Sequence, residues 1–249
     1  MSKSHTSVWT CIAALAALCA AGSARALASE DTSPPNPKDM MLKMGLVLDA
    51  KKREVRLDAT VCLEGGILEY FLCVSGRSQT FEHESAFSTR CTPSVLHLAL
   101  LAIGAEPCPY EGDSDWEESW NKKPASRLRL RVEYVQDGKR VQREASEMLA
   151  TRSNKEGKLP DFWIFTGSYF GHHNGKPIYA ADAAGAIAGF CQDNASIMQT
   201  AKSFGNPYNG SEAGLEINRK NIPPRGTQVQ LVFSLISDEV IEAQKAKNE

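Results

Sequence analysis

The chain lacks every short signature that assigns a chemistry by spacing. No two cysteines stand in C-x-x-C register, which excludes a zinc ribbon, a thioredoxin-type redox pair and the cysteine run of an iron–sulfur cluster. Neither G-x-x-x-x-G-K-[ST] nor G-x-G-x-x-G occurs, so no phosphate-cradling loop is encoded. The pair His83-Glu84 has Phe87 where a zinc-binding H-E-x-x-H motif needs its second histidine. Gly167-Ser168-Tyr169-Phe170-Gly171 is not the G-x-S-x-G elbow of a serine nucleophile. Asp113-x-Asp115 opens like a calcium loop, but its sixth and twelfth positions hold Glu118 and Pro124 in place of glycine and glutamate.

Charge is scarce in blocks. The formal net charge is −2, and 26 basic against 30 acidic residues remain from Ser29 onward. No like-charged run is long enough for a binding arm, and nothing points to a nucleic-acid surface. Long apolar runs are equally scarce. Val8 to Ala21 is almost wholly apolar, yet it falls short of the ~20 residues of a spanning helix, and no second such run follows.

What is present begins with an export signal. Lys3 precedes that apolar run, and Ala24-Arg25-Ala26 and Ala26-Leu27-Ala28 each fit a small-x-small cleavage site. Cleavage is expected after Ala28, with Ala26 as the rival, which makes the protein periplasmic or secreted, with no stable membrane span once the signal is gone. Five cysteines then remain, Cys62, Cys73, Cys91, Cys108 and Cys191. The number is odd, so at least one stays unpaired within the chain or pairs with another chain, and their pairing is left open. Cys91 and Cys108 flank an apolar helix and can meet only if the chain doubles back after Gly104.

The organisation reads as residues 1–28 signal, 29–44 flexible proline-rich linker, 45–237 one domain and 238–249 a polar tail. Val55, Leu57, Ala59, Val61 and Leu63 alternate with polar residues, as in a half-buried strand. Gly65-Gly66 is read as a tight turn returning through Ile67 to Val74. Leu128 to Tyr134, Phe162 to Thr166, Ile178 to Ala181, Ala186 to Phe190 and Val229 to Ile236 are further strands. Between them Thr92-Pro93 opens and Gly104 closes a helix over about 93–103, apolar on every side but at His97, and therefore expected to be buried. Short strands without β-α-β alternation predict an α+β domain of mostly antiparallel sheet with one main buried helix.

Two groups of side chains are candidates for chemistry. His83, Glu84 and His97 can converge as metal ligands, or His97 can be a satisfied core histidine beside ordinary strand-edge charges. Ser168 and Asp182, with Asp161, His172 and His173 nearby, sit in loops, where turn chemistry explains them as simply as function does.

At these residues the chain resembles the YdjY-like family of exported bacterial proteins. The resemblance rests on Gly66 to Tyr70, Glu82 to Ser85, Val95-Leu96-His97-x-Ala99-Leu100-Leu101-x-x-Gly104, Asp161-x-Trp163 to Ser168, Tyr179-x-x-Asp182-x-x-Gly185, Gly214 to Asn218 and Ile222 to Val229. It runs from about Gly45 to Ile236. It implies a periplasmic or secreted protein of one domain, without an established biochemical role; the residues themselves give no expectation of a cofactor. The ferredoxin-like label sometimes given to the family has no support in this cysteine spacing. The reading that follows is a binding module for an envelope partner or small ligand; the alternative is a metal-dependent or hydrolytic enzyme using His83, Glu84 and His97.

Overall fold

Alternating apolar residues build the walls of a barrel. The computed structural model describes residues 36–76, 81–109, 124–152, 159–191, 193–201, 204 and 214–236. Its strands are β1 (Leu46–Asp49), β2 (Glu54–Val61), β3 (Ile67–Leu68), β4 (Tyr70–Val74), β5 (Ser85–Thr89), β6 (Arg127–Gln136), β7 (Lys139–Glu144) and β8 (Leu149–Thr151), followed by β9 (Trp163–Phe165), β10 (Phe170–His173), β11 (Lys176–Tyr179), β12 (Ala186–Gly189), β13 (Met198–Thr200), β14 (Leu215–Ile217) and β15 (Gln228–Leu235). The described helices are α1 (Pro37–Lys43), α2 (Pro93–Ala102) and α3 (Ala180–Ala184).

The strands run in the order β2-β15-β6-β9-β13-β12-β4-β5, and β5 pairs back onto β2. That closes an eight-strand barrel. Two of its joints, β12 with β13 and β4 with β5, are parallel, and the rest are antiparallel. β1 and β7 extend the barrel at the free edges of β2 and β6. A three-stranded sheet, β3-β14-β8, and the hairpin β10-β11 complete the architecture. The α+β expectation is therefore corrected: the domain is a mostly-β closed barrel, and α2 is an accessory to it.

The reason is visible in the strands. Val55, Leu57, Ala59 and Val61 of β2, Leu128, Leu130 and Val132 of β6, and Leu231 and Phe233 of β15 are all buried in one continuous core with Phe87 and Trp163. Closing the sheet on itself leaves no open face for a helix to cover, because the inward residues fill the interior themselves. Phe71, Trp163 and Phe190 meet at centroid separations of 5.4 to 6.3 Å in that interior.

Two further expectations change. Gly65-Gly66 does not fold β2 back on its neighbour: β3 pairs with β14, whereas β4 pairs with β12 and β5. A 3-10 turn at Glu82–Glu84 leads into strand β5. Within the stretch read as linker, α1 occupies Pro37–Lys43, and Met41 and Met44 pack against the core. Asp137-Gly138, both with positive φ, makes the turn between β6 and β7. The signal, the calcium-like stretch and the polar tail lie outside the described residues.

α2 has the predicted bounds at both ends. Pro93 occupies its first position. At the other end Ala105 N–H bonds Leu100 O and Gly104 N–H bonds Leu101 O, with Gly104 at φ +88°. That pattern closes the helix with a left-handed residue only glycine adopts cheaply. Arg53 Nε donates to Ile103 O at 3.1 Å and adds a cation at the negative end of the helix. Val95, Leu96, Ala99 and Leu100 are buried in the core, whereas Ala102 is exposed, so the helix is sunk on one side only.

Candidate functional site

The structure brings His97, Ser168 and Asp182 to one region, where α2, the end of β9 and α3 meet. It does not bring His83 and Glu84 there. His83 lies on the 3-10 turn with 73% of its side chain exposed, its Nε2 3.7 Å from Glu84 Oε2. Glu84 is buried, and desolvation, with Glu69 adding to it, raises its pKa. Among the described residues no group of three or more His, Cys, Asp or Glu side chains can hold a metal ion. The convergence of His83, Glu84 and His97 is corrected accordingly: a turn, not a strand aimed at the helix, carries the first two.

His97 is tied into a relay. Tyr179 Oη donates to Gly167 O at 2.7 Å, so its oxygen accepts from His97 Nδ1–H at 2.6 Å. The imidazole is edge-on to Phe165, with centroids 4.9 Å apart. Burial pushes the His97 pKa down to about 4, against the Gly167 carbonyl, which favours the protonated ring. The ring is therefore neutral at ordinary pH. Burial, and then the charge of Asp182, push the Tyr179 phenol upward. A neutral imidazole with its Nδ1 proton engaged is an orienting group, in keeping with a satisfied core histidine.

Gly167 and Ser168 both take positive φ, +82° and +55°. The serine holds this costly conformation by donating from Oγ to Ala195 O at 2.9 Å. Asp182 accepts the Ser94 N–H at 2.8 Å on Oδ1. It caps α2 from another element, while Thr92, the expected cap, makes no side-chain cap bond. Replacing Asp182 by alanine is expected to cost about 1 kcal/mol of stability, the usual value of a lost N-cap, and thermal denaturation beside Asp182→Asn measures it.

These residues lie in stretches spanned by one family match. The YdjY domain matches residues 46–234. The chain belongs to the YdjY domain family. No curated protein and no solved structure matches it. The matched YdjY domain covers every strand of the barrel circuit except the last residue of β15. Within it the relay ties α2 to the β9 end and α3. In the sequence Gly167 and Tyr179 stand only as parts of motifs; what singles them out is the run of two left-handed residues at 167–168 and the Tyr179-x-x-Asp182 spacing at the start of α3.

A second region of the YdjY domain is concave. A groove of about 980 Å³ crosses the outer face of the barrel over β2, β15 and β6 and reaches β5 and β7. Its floor is a ladder of cross-strand polar pairs. Gln228 Nε2 donates to Thr60 Oγ1 at 2.9 Å, and Gln230 Nε2 to Asp58 Oδ1 at 3.3 Å. Arg56 Nη1 bridges Gln230 Oε1 and Glu133 Oε2, both at 3.0 Å. Arg90 and Arg140 stand among the lining residues, with Tyr134 and Val135 beside them. None of these residues carried a motif. Alternation marks the outward face of a strand as wet but does not mark which strands share a groove.

Among the described residues, no helix is long and apolar enough to cross a membrane.

Proposed function

We propose that this YdjY domain is an exported binding module, and that the groove over β2, β15 and β6 holds a neutral, hydroxyl-rich ligand of oligosaccharide size. The observation that carries the reading is the ladder on the groove floor. Amides, carboxylates and a hydroxyl alternate there in fixed pairs, offering donors and acceptors side by side with balanced charge. Such a floor matches a ligand that both donates and accepts at each hydroxyl. The volume falls in the range of ligand sites. Export rests on the charged start, the apolar run and the small-x-small sites before Ser29.

A glycan array probed with the chain beginning at Ser29, followed by titration calorimetry on the best binder, tests the site. The expected result is saturable binding that Asp58→Ala and Gln230→Ala each weaken about tenfold or more, since each leaves buried polar groups of a bound ligand unpaired. Absence of binding on the array, or binding indifferent to both substitutions, overturns the groove assignment.

The metal-dependent or hydrolytic reading is not favoured by the geometry. His97 spends its Nδ1 proton on Tyr179, and His83, exposed, and Glu84, buried, belong to no group of three metal ligands among the described residues.

A further inference from the structure

Where β2 ends and β15 begins, two loops meet and hold two arginines that no carboxylate engages. One loop, residues 62–66, follows β2; the other, residues 218–227, joins β14 to β15. Both are pinned. Ile217 N–H bonds Gly66 O at 3.0 Å, Gly226 N–H bonds Val61 O at 2.9 Å, and Arg225 N–H bonds Glu64 Oε1 at 2.6 Å. Asn218 and Asn221 both donate from Nδ2 to Glu147 O, at 3.0 and 2.8 Å. Between the loops lies a cavity of about 670 Å³ lined by Arg219, Arg225, Glu64, Leu63, Ile222 and Pro224 around Cys62 and Gly65. It shares no lining residue with the groove over β2, β15 and β6.

Gly65 is shaped to Arg219. Its φ is not positive, so the backbone does not call for glycine there. A Cβ on it would lie 2.5 Å from Arg219 Nε, 2.8 Å from Cζ and 2.9 Å from Nη2. Three guanidinium atoms at nearly one distance mean that the group turns its face to Gly65. A guanidinium donates in its own plane, so this contact engages none of its N–H groups. Arg56, Arg129, Arg131 and Arg143 are each paired with a glutamate. Neither Arg219 nor Arg225 forms a salt bridge among the described residues.

The cavity therefore holds two guanidinium groups against the one carboxylate of Glu64, an excess of a single positive charge. Leu63 and Ile222, which pack against the core, and Pro224 make the rest of its wall apolar. One surplus cation beside an apolar wall suits a monoanion with an apolar body better than a phosphate dianion, and the planar fork of arginine suits a carboxylate. We propose that this cavity is a second binding site of the domain and takes a monocarboxylate carried on a short apolar body. The carboxylate lies between Arg219 and Arg225, and the body lies against Leu63, Ile222 and Pro224. A short free acid and the carboxyl end of a peptide with an apolar last residue share this chemistry.

Hexanoate and N-acetyl-Ala-Leu, each beside its uncharged amide, are titrated into the chain from Ser29 and followed by the backbone amide signals in NMR. The expected result is a saturable shift of the Arg225 N–H with at least one of the two acids and with neither amide. The acid that binds tells a free acid from a chain end. Arg219→Gln, Arg225→Gln and Gly65→Ala are each expected to weaken that binding about tenfold, since each costs the carboxylate a charged hydrogen-bond partner. Gly65→Ala keeps both charges, and its new Cβ meets only the far end of a flexible side chain, so it displaces Arg219 in a folded domain. Lys220→Gln removes a neighbouring charge that does not line the cavity and should leave the affinity unchanged. Binding of neither acid overturns the site, as do amides that bind as well as the acids. Inorganic phosphate binding more tightly than both acids overturns the carboxylate assignment. An unaltered affinity in Gly65→Ala, or equal weakening by Lys220→Gln, overturns the clamp in favour of a diffuse surface field.

Discussion

Replacing Gly167 by alanine is expected to lower the unfolding free energy by about 3 kcal/mol, measured by urea titration. Two costs add. An L-residue at φ +82° pays the left-handed penalty that glycine avoids. The new Cβ also lands 2.6 Å from Pro107 Cβ and 3.5 Å from His97 Cε1. Pro107 has no room to retreat, because Glu106 N–H is bonded to Ala125 O at 3.0 Å and Cys108 N–H to Phe165 O at 2.8 Å. Overpacking against backbone held on both sides costs 1–3 kcal/mol in ordinary cores, roughly as much again as the dihedral term. Gly175→Ala separates the two. It sits at φ +75° at the tip of the β10-β11 hairpin with nothing within 4 Å of its added Cβ, so it pays the dihedral cost alone, about 1 kcal/mol. Equal losses at the two positions would show that the junction of α2 with the β9 end is looser than the contacts require.

That junction also shows what the sequence makes legible. Pro93 and Gly104 mark the ends of α2 because each acts through its own backbone: proline at a position whose N–H is idle, glycine at a positive φ. The alternation of β2 and β6 is equally local, and it names their apolar buried residues. Closure is not local. It depends on Thr60 and Val61 meeting Ser88 and Phe87, and on strands of three or four residues such as β9, β12 and β13, too short for a period to register. An apolar helix therefore passed for the centre of an α+β layer. The same limit governs the site. His97 and Asp182 stand out as side chains, but their partners, a tyrosine hydroxyl, a glycine carbonyl and a helix N–H, come from other elements. The groove floor pairs residues 77 to 174 positions apart, as Arg56 with Glu133 and with Gln230, and only the sheet register reveals it.

Acid should weaken the domain through His97, and the sign can be worked out. In the unfolded chain the imidazole titrates near 6.5; in the folded one burial holds it at about 4. Above pH ~6.5 it is neutral in both states, and its full contribution is present. As pH falls from there, the unfolded chain takes up a proton that the folded chain refuses, so stability drops until about pH 4, where the half-buried ring protonates too. The expected loss across that window is roughly 2–3 kcal/mol. Glu84 works in the opposite direction: its raised pKa makes the folded state the better proton acceptor, which adds stability on acidification. The two are separated by His97→Gln, which keeps an N–H for the Tyr179 oxygen but carries no titrating ring, while Glu84 is unchanged. Tyr179 does not interfere, because its phenol is pushed further above the acid range. Urea titrations of both proteins at pH 7.5, 6, 5 and 4 should converge in stability toward acid, with the wild-type chain losing more. Parallel pH profiles would mean that His97 meets water in the folded state, and the relay through Tyr179 to Gly167 would lose the burial that makes it a structural lock.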